Sequence, residues 1–250
     1  MPGLLVGHGA GSNRKRHDAF CRTACAAGFV VLAFDFRGHG ESGGLADGPL
    51  EMDILAAAAF LRNRPGVRPD QVCYRGSSMG GFYGLKAATS EQFAALVLLC
   101  PASEQVILDA ISKGDAESPD PPQAPQPPAS LPPGTRTSRR DPAGQPPRWD
   151  IDRLRQYFLE QDSAYLAGQV ACPVLIVHAR EDTVVPFNHS LVLARHLKTE
   201  TALLALPGGT HTTAQHDPHV HELTVSWLRE QLSRSRTGSL QTASRAANRL

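Results

Sequence analysis

The stretch "YRGSSMGGFYG", Tyr74–Gly84, sets two serines side by side between glycines. Glycine inside regular structure costs roughly 0.5–1 kcal/mol relative to alanine, so this cluster needs a local geometric reason. The segment "GSSMG", 76–80, fits the pattern G-x-S-x-G, whose serine occupies a sharp, strained turn between a strand and a helix. The pattern predicts that Ser78 projects at the tip of a sheet. Ser77 stands one position too early for that place.

Short apolar runs bounded by Gly, Pro or polar residues recur along the chain. Continuous hydrophobicity is typical of strands that are covered on both faces. We predict strands at Leu4–Val6, Val30–Phe34, Val72–Tyr74, Ala95–Leu99, Val174–Val177 and Ala202–Leu206. Helical spacing predicts helices at His17–Ala27, Met52–Asn63, Met79–Ser90, Asn188–His196 and Val220–Leu232. This alternation predicts an α/β fold with a doubly wound, mainly parallel sheet, whose active site lies beyond the carboxyl ends of the strands.

Composition bounds the class of protein. The 250 residues are 41% hydrophobic and 20% charged, with a net charge of +1, so no field over the whole surface would recruit nucleic acid or an anionic membrane. The five cysteines form no C-x-x-C pair and are predicted to be buried, reduced thiols. Neither a secretory signal nor an apolar run long enough to span a membrane is evident, so a cytoplasmic location is expected.

Two segments depart from the globular pattern. Residues of about 118–147 include eleven prolines and few apolar residues, and the tail 234–250 is basic; both are predicted to be disordered. Short helices are predicted on either side of the proline-rich segment, at Ser103–Lys113 and Ile151–Val170. We therefore divide the chain into a first part of the core (1–110), a small lid insertion (111–170), a second part of the core (171–233) and the tail (234–250).

Candidate catalytic groups follow two of the later strands. A serine is a weak nucleophile unless a base accepts its proton, and the base needs a carboxylate to fix its tautomer. Asp182 follows the strand in "VLIVHAREDTVVP", and His211 follows the last strand in "LLALPGGTHTT". The order Ser, Asp, His is that of hydrolases with this turn. Glu181 competes with Asp182 for the acid, and three histidines compete with His211 for the base: His216, His219 and His221.

Two backbone N–H groups are candidates for stabilising an oxyanion. That of Met79 lies at a predicted helix N-terminus, where free N–H groups favour negative charge. A second donor is expected from the loop "VGHGAGS", at Ala10, while His8 is expected to shape that loop. The basic cluster Arg14–Arg16 is interpreted as a solvated face; the alternative is a site that draws an anionic group to the pocket.

Five pieces of sequence together resemble the α/β-hydrolase fold superfamily of serine hydrolases, in its esterase, lipase and peptidase-like branch. They are "HGAGS", "FDFRGHGES", "GSSMGG", "HAREDTVVP" and "PGGTH", in the order and spacing of that family from Gly3 to Leu232. The resemblance implies these roles: nucleophile Ser78, acid Asp182, base His211, and oxyanion donors Ala10 and Met79. It implies a structural role for Asp35 and no cofactor or metal. Members usually begin with two further strands; we expect the sheet of this chain to lack them because its start is truncated.

The expected function is that of a serine hydrolase that cleaves a carboxylic ester or related acyl bond through an acyl-enzyme. An aminopeptidase, an oligopeptidase or a thioesterase on the same triad is an alternative. A non-catalytic binding protein that keeps the fold is another. The expected partner is a small ester or acyl substrate; the sequence leaves its identity and the oligomeric state open.

Overall fold

Six strands form a single sheet in the computed structural model, which describes residues 1–113 and 147–247. The strands are β1 (Gly3–Gly7), β2 (Val30–Ala33), β3 (Val72–Ser77), β4 (Leu96–Leu99), β5 (Val174–Ala179) and β6 (Thr201–Leu206). Their order across the sheet is β2-β1-β3-β4-β5-β6, and every neighbouring pair is parallel. The doubly wound sheet and all six predicted strands are confirmed.

Helices cover both faces of this sheet. They are α1 (Asp18–Ala26), α2 (Glu51–Arg62), α3 (Met79–Ala87), α4 (Glu104–Lys113), α5 (Ile151–Leu159), α6 (Ser163–Ala167), α7 (Phe187–His196), α8 (Thr213–His216) and α9 (Pro218–Ala247). Two short 3-10 helices, Arg14–His17 and Pro69–Gln71, add to them.

The alternation of side chains along each strand divides the core into two layers. Along β1, Leu5 packs with residues of α2, α3 and α5, whereas Leu4 and Val6 pack with α1 and α9. Because both faces are covered, the strands carry continuous apolar runs rather than an alternating pattern.

Parts of the chain differ from the sequence prediction. The segment Ile151–Val170 forms two helices rather than one, because the side chain of Asp162 accepts a hydrogen bond from the Tyr165 N–H and starts a new helix there. Helix α9 continues to Ala247, into the tail 234–250 that was predicted to be disordered. That stretch contains no proline and a single glycine, so nothing in it interrupts a helix. The proline-rich segment, apart from Pro147, lies outside the described residues.

The cysteines also differ in part from expectation. All five are free, but only Cys73 and Cys100 are buried, and Cys25 is exposed. Among the helices of 1–113 and 147–247, none has the length and apolar character that crossing a membrane requires.

The topology brings the first strand beside the strand that leads to Ser78. The chain places β2 on one side of β1 and β3 on the other, with Gly7 of β1 opposite Gly76 of β3. A crevice forms at the carboxyl ends of strands where the winding direction reverses. The loops after β1, β3, β5 and β6 all open toward this edge of the sheet.

Candidate active site

Ser78 lies at the turn between β3 and α3 in a strained conformation. Its φ is 50° and its ψ is −116°, a region that residues with a side chain rarely adopt. The turn is tight: a β-carbon on Gly76 would lie 2.3 Å from the carbonyl oxygen of Gly80. The two glycines of the pattern are thus required by close backbone contact, as a strand-to-helix elbow demands.

The two neighbouring serines differ in their surroundings. Ser77 is buried, and its hydroxyl donates a hydrogen bond to Oε1 of Gln215 at 2.9 Å. Ser78 is half-buried and lines a cavity of about 540 Å³. Of the pair, Ser78 is the one whose hydroxyl is not committed to a buried side chain.

Asp182 lies in the loop after β5, and its side chain is fully buried. Its Oδ1 accepts hydrogen bonds from the N–H groups of Val184 at 2.8 Å and Val185 at 2.9 Å. Its Oδ2 lies 2.7 Å from Nδ1 of His211. Burial by itself would raise the pKa of Asp182, but hydrogen bonds from His178 and His211 outweigh it and hold that pKa well below its usual range. The group is therefore a carboxylate that accepts hydrogen bonds only.

His211 is presented by the glycine-rich loop after β6. Gly209 has a φ of 106°, and a β-carbon on it would lie 2.6 Å from Oγ1 of Thr213. The same oxygen accepts a hydrogen bond from the Thr210 N–H at 2.8 Å. The loop is thus folded around Thr213, and this holds the imidazole of His211 against Asp182, with 13% of its side chain exposed.

Ser78 and His211 line the same cavity from different loops. The hydrogen bonds of the described residues include that from His211 to Asp182 but none from Ser78 to His211. Such bonds often tighten only when a substrate binds.

The competing residues lie elsewhere. Glu181 is exposed, as are His216 and His219. His221 is buried, and its Nε2 lies 2.7 Å from the carbonyl oxygen of Gln215. Nε2 of His216 lies 2.9 Å from Nε2 of Gln215, and among the described residues no hydrogen bond joins His219 or His221 to Asp182.

The loop after β1 also lines the cavity. Gly9 and Ala10 line it together with Ser78 and Met79. The N–H of Met79 belongs to the first turn of α3, where the helix itself provides no acceptor. Both proposed oxyanion donors thus border the cavity that contains the serine.

His8 fixes the conformation of that loop. It is fully buried; its Nδ1 lies 2.7 Å from the Gly9 carbonyl oxygen, and its Nε2 accepts a hydrogen bond from the Phe36 N–H at 3.1 Å. Burial lowers the pKa of His8 to about 3, so the ring is neutral. With both nitrogens bonded to backbone, His8 has the surroundings of a structural residue.

The residues around Asp35 hold the neighbouring loops together. Asp35 accepts hydrogen bonds from the backbone N–H groups of Arg14 and Glu41 and is paired with the Arg14 guanidinium. Lys15 pairs with Glu41 at 2.6 Å. Two of the three basic residues in the predicted cluster are thus occupied by acids of this chain, and Asp35 acts as a structural residue.

Two residues of the site were not predicted from the sequence. His178, a buried residue of β5, lies 3.2 Å from Oδ2 of Asp182. Cys100 brings its thiol to within 4.8 Å of both the Asp182 carboxylate and the His211 imidazole. Burial raises the pKa of Cys100 to about 12, so it is a thiol rather than a thiolate.

Cys100 also shares its backbone strain with the serine. With a φ of 42°, it joins Ser78 as one of the two non-glycine residues of the described chain with positive φ. Both end strands at the same edge of the sheet. Strain of this kind clusters at functional sites.

Comparison with known proteins decides the family. The sequence profile described as the alpha/beta hydrolase family matches residues 4–224, most of the chain. The chain belongs to the alpha/beta hydrolase family.

Individual relatives are distant. YfhR of Escherichia coli (strain K12) is 26% identical over 220 residues, covering 86% of this chain and 65% of YfhR. The alpha/beta hydrolase domain-containing protein aho-3 of Caenorhabditis elegans is 25% identical over 186 residues, 74% of this chain and 44% of aho-3. The chain thus spans less than two thirds of the length of these relatives.

Two solved structures share the fold. Est1E from Butyrivibrio proteoclasticus, bound to ferulic acid, superposes with a TM-score of 0.67 at 23% identity and covers 94% of this chain and 89% of its own. The monoacylglycerol lipase of Paleococcus ferrophilus has a TM-score of 0.67 at 20% identity, with coverage of 92% and 94%.

Proposed function

We propose that the protein is a serine hydrolase that cleaves carboxylic esters, with Ser78 as nucleophile, His211 as general base and Asp182 as the carboxylate that orients it. The observation that carries this proposal is the 2.7 Å hydrogen bond between His211 Nδ1 and Asp182 Oδ2, beside the cavity that Ser78 lines. The strained elbow of Ser78 supports it independently.

The protonation states support the assigned roles. Because Asp182 is ionised and only accepts hydrogen bonds, Nδ1 of His211 carries a proton and donates it. In the neutral imidazole, Nε2 is then left with the lone pair that a general base needs. This is the tautomer that can take a proton from the Ser78 hydroxyl.

The proposed reaction has two halves. Ser78 Oγ attacks the ester carbonyl while its proton passes to His211 Nε2, and the N–H groups of Ala10 and Met79 stabilise the oxyanion. His211 then gives the proton to the departing alcohol, which leaves an acyl group on Ser78. Water, activated by His211, hydrolyses this acyl-enzyme and restores the hydroxyl.

The walls of the cavity favour an apolar acyl group. Helices α4 and α5 contribute mainly apolar side chains to it: Val106, Ile107, Ile111, Leu154 and Phe158. Its volume of about 540 Å³ lies within the range of small-molecule sites in proteins. These properties support an ester of an aliphatic or aromatic acid as the substrate.

A fluorophosphonate probe tests the nucleophile. The wild type should be labelled, Ser78→Ala should not, and Ser77→Ala should still be labelled because Ser77 donates to Gln215. His211→Gln should slow labelling by a factor on the order of 10² or more. If the folded wild type stays unlabelled, the result contradicts the proposal and supports the alternative, a non-catalytic protein with this fold.

A substrate panel tests the bond that is cleaved. Aryl esters of increasing acyl length, an acyl thioester and an aminoacyl anilide carry the same carbonyl chemistry with different leaving groups. The proposal requires the highest kcat/KM for an ester, with its loss in Ser78→Ala. A preference for the anilide or the thioester would support a peptidase or a thioesterase.

A further inference from the structure

The carboxylate of Asp182 has a second imidazole beside it. His178, in β5, is fully buried, and its Nε2 lies 3.0 Å from the Val185 carbonyl oxygen and 3.2 Å from Oδ2 of Asp182. On the other side of the ring, Nδ1 lies 2.6 Å from the hydroxyl of Ser190, a buried residue of α7. The ring thus connects helix α7 to the carboxylate.

The partners fix the position of the proton on Nε2. A carbonyl oxygen and a carboxylate can only accept hydrogen bonds, so Nε2 of His178 carries a hydrogen, which it donates to the Val185 carbonyl oxygen while lying 3.2 Å from Oδ2 of Asp182. In the neutral ring, Nδ1 then accepts a hydrogen bond from the Ser190 hydroxyl. The result is a directed chain in which Ser190 donates to His178 and the Nε2–H of His178 presents its positive end to Asp182.

This chain ends on the atom that holds His211. Oδ2 of Asp182 faces Nε2 of His178 and Nδ1 of His211, while Oδ1 is occupied by the N–H groups of Val184 and Val185. A donor from His178 draws part of the negative charge of Oδ2 away from His211. Hydrogen bonding to a charged group stabilises that charge and weakens its pull on a competing partner.

We propose that His178, held by Ser190, is a positioning residue that divides the charge of Asp182 and so sets the pH at which His211 becomes a competent base. This inference rests on the proposed function. The titratable groups that face the two imidazoles are Asp182 between them, Cys100 from the end of β4 and His189 from α7. The aromatic ring of Phe187 covers the side of His178.

The pH profile of kcat/KM distinguishes positioning from space filling. In His178→Leu the donor to Oδ2 of Asp182 is lost, so Oδ2 attracts a protonated His211 more strongly. The acid limb of the profile, where activity rises as His211 loses its proton, should therefore move to higher pH. We expect a shift of roughly 0.5 unit or more, which is a threefold change in the proton-binding equilibrium. His178→Gln keeps an amide that can donate to Asp182 and should keep the limb of the wild type. The loss in activity should fall on kcat more than on KM.

A second variant guards against misfolding. Ser190→Ala leaves the ring of His178 in place but removes the donor to its Nδ1, and we expect a smaller shift in the same direction. His196→Gln, at an exposed histidine of the same helix, should change nothing. In proton NMR, the signal of the His211 Nδ1–H should move downfield in His178→Leu and in Ser190→Ala, because its hydrogen bond to Asp182 becomes stronger.

The outcomes separate this inference from the proposed function. If Ser78→Ala still hydrolyses esters at the rate of the wild type, the proposed function itself fails. If Ser78 is essential but His178→Leu and Ser190→Ala leave the acid limb in place, or move it to lower pH, then only the role of His178 is overturned.

Discussion

Gly80 at the start of α3 packs directly against the backbone of His8. A β-carbon on Gly80 would lie 2.5 Å from the carbonyl oxygen of His8. Since both ring nitrogens of His8 are hydrogen-bonded to backbone groups, this residue cannot move away from Gly80 without breaking those bonds. The elbow that carries Ser78 and the loop that carries Ala10 are therefore placed relative to each other by backbone contact.

Gly80→Ala should disrupt this contact. Placing a methyl group where no space exists costs typically 1–3 kcal/mol, and here the strain displaces the elbow or the facing loop. We expect a lower free energy of unfolding, measured in urea, and a lower kcat/KM. Expressed as a free energy, the loss in kcat/KM should exceed the loss in stability. Gly43→Ala is the matched control, because a β-carbon there meets no atom within 4 Å. Wild-type activity in Gly80→Ala would contradict the close packing.

The buried His8 should make stability depend on pH. In the unfolded chain a histidine titrates near pH 6.5, whereas burial lowers the pKa of His8 to about 3. Below pH 6.5 the unfolded state therefore binds a proton that the folded state does not, and the free energy of unfolding falls as pH falls, until the folded pKa is reached. The expected slope is about 1.4 kcal/mol per pH unit for this group. His17 and His39, whose pKa values are also lowered by burial, add to it.

Urea unfolding between pH 4 and 6 measures that contribution. His8→Gln should reduce the difference in bound protons between unfolded and folded states by about one. His219→Gln, at an exposed position, should leave the slope as it is in the wild type. An unchanged slope in His8→Gln would mean that His8 is protonated in the folded protein.

The sequence predicted the features that short patterns encode. The elbow of Ser78 follows from a local run of glycines, and six apolar runs predicted all six strands. The pairing of His211 with Asp182 was expected because the carboxyl ends of parallel strands meet at one edge. The residues that form each of these features either lie close together in sequence or are brought together by the predicted order of strands and loops.

The missed features depend on contacts that no local pattern contains. His178 lies four residues before Asp182, directly after the predicted strand Val174–Val177, and the role proposed for it depends on Ser190 in the next helix. Cys100 approaches Asp182 only because β4 and β5 are neighbours. A polar residue inside an apolar strand, at the end that faces the site, was the one available signal for His178.

Arg75 is a buried cation without an acid. It is the largest fully buried side chain among the described residues. No Asp or Glu in the described part of the chain forms an ion pair with it. Its hydrogen bonds to His17 and to the Gln215 carbonyl oxygen are long, at 3.4 Å each, and its guanidinium stacks 3.8 Å from the ring of Phe20. Burial lowers the pKa of Arg75 to about 9. The charge is thus poorly compensated.

Arg75→Met should therefore leave stability at pH 7 unchanged or raise it by about 1–3 kcal/mol, because an apolar chain of similar length avoids the desolvation of the charge. The Gln215 carbonyl oxygen keeps its hydrogen bond from His221. Arg75→Ala, which leaves a cavity as well, should be less stable than Arg75→Met. Both are measured by urea unfolding, and a loss of several kcal/mol in Arg75→Met would show that the guanidinium stabilises the fold.

Ala110 of α4 offers a test of the acyl pocket. It lines the cavity and is half-buried, so Ala110→Leu adds three carbon atoms to the space that the acyl chain would occupy. We expect kcat/KM for long aliphatic esters to fall by roughly tenfold, while acetate esters are hydrolysed nearly as in the wild type, since a hydrophobic pocket discriminates by about 1–3 kcal/mol for each excess group. Gln105→Leu adds an apolar side chain at an exposed position of the same helix and should leave the chain-length profile unchanged. If acetate and long esters lose activity equally in Ala110→Leu, the acyl group does not bind along α4.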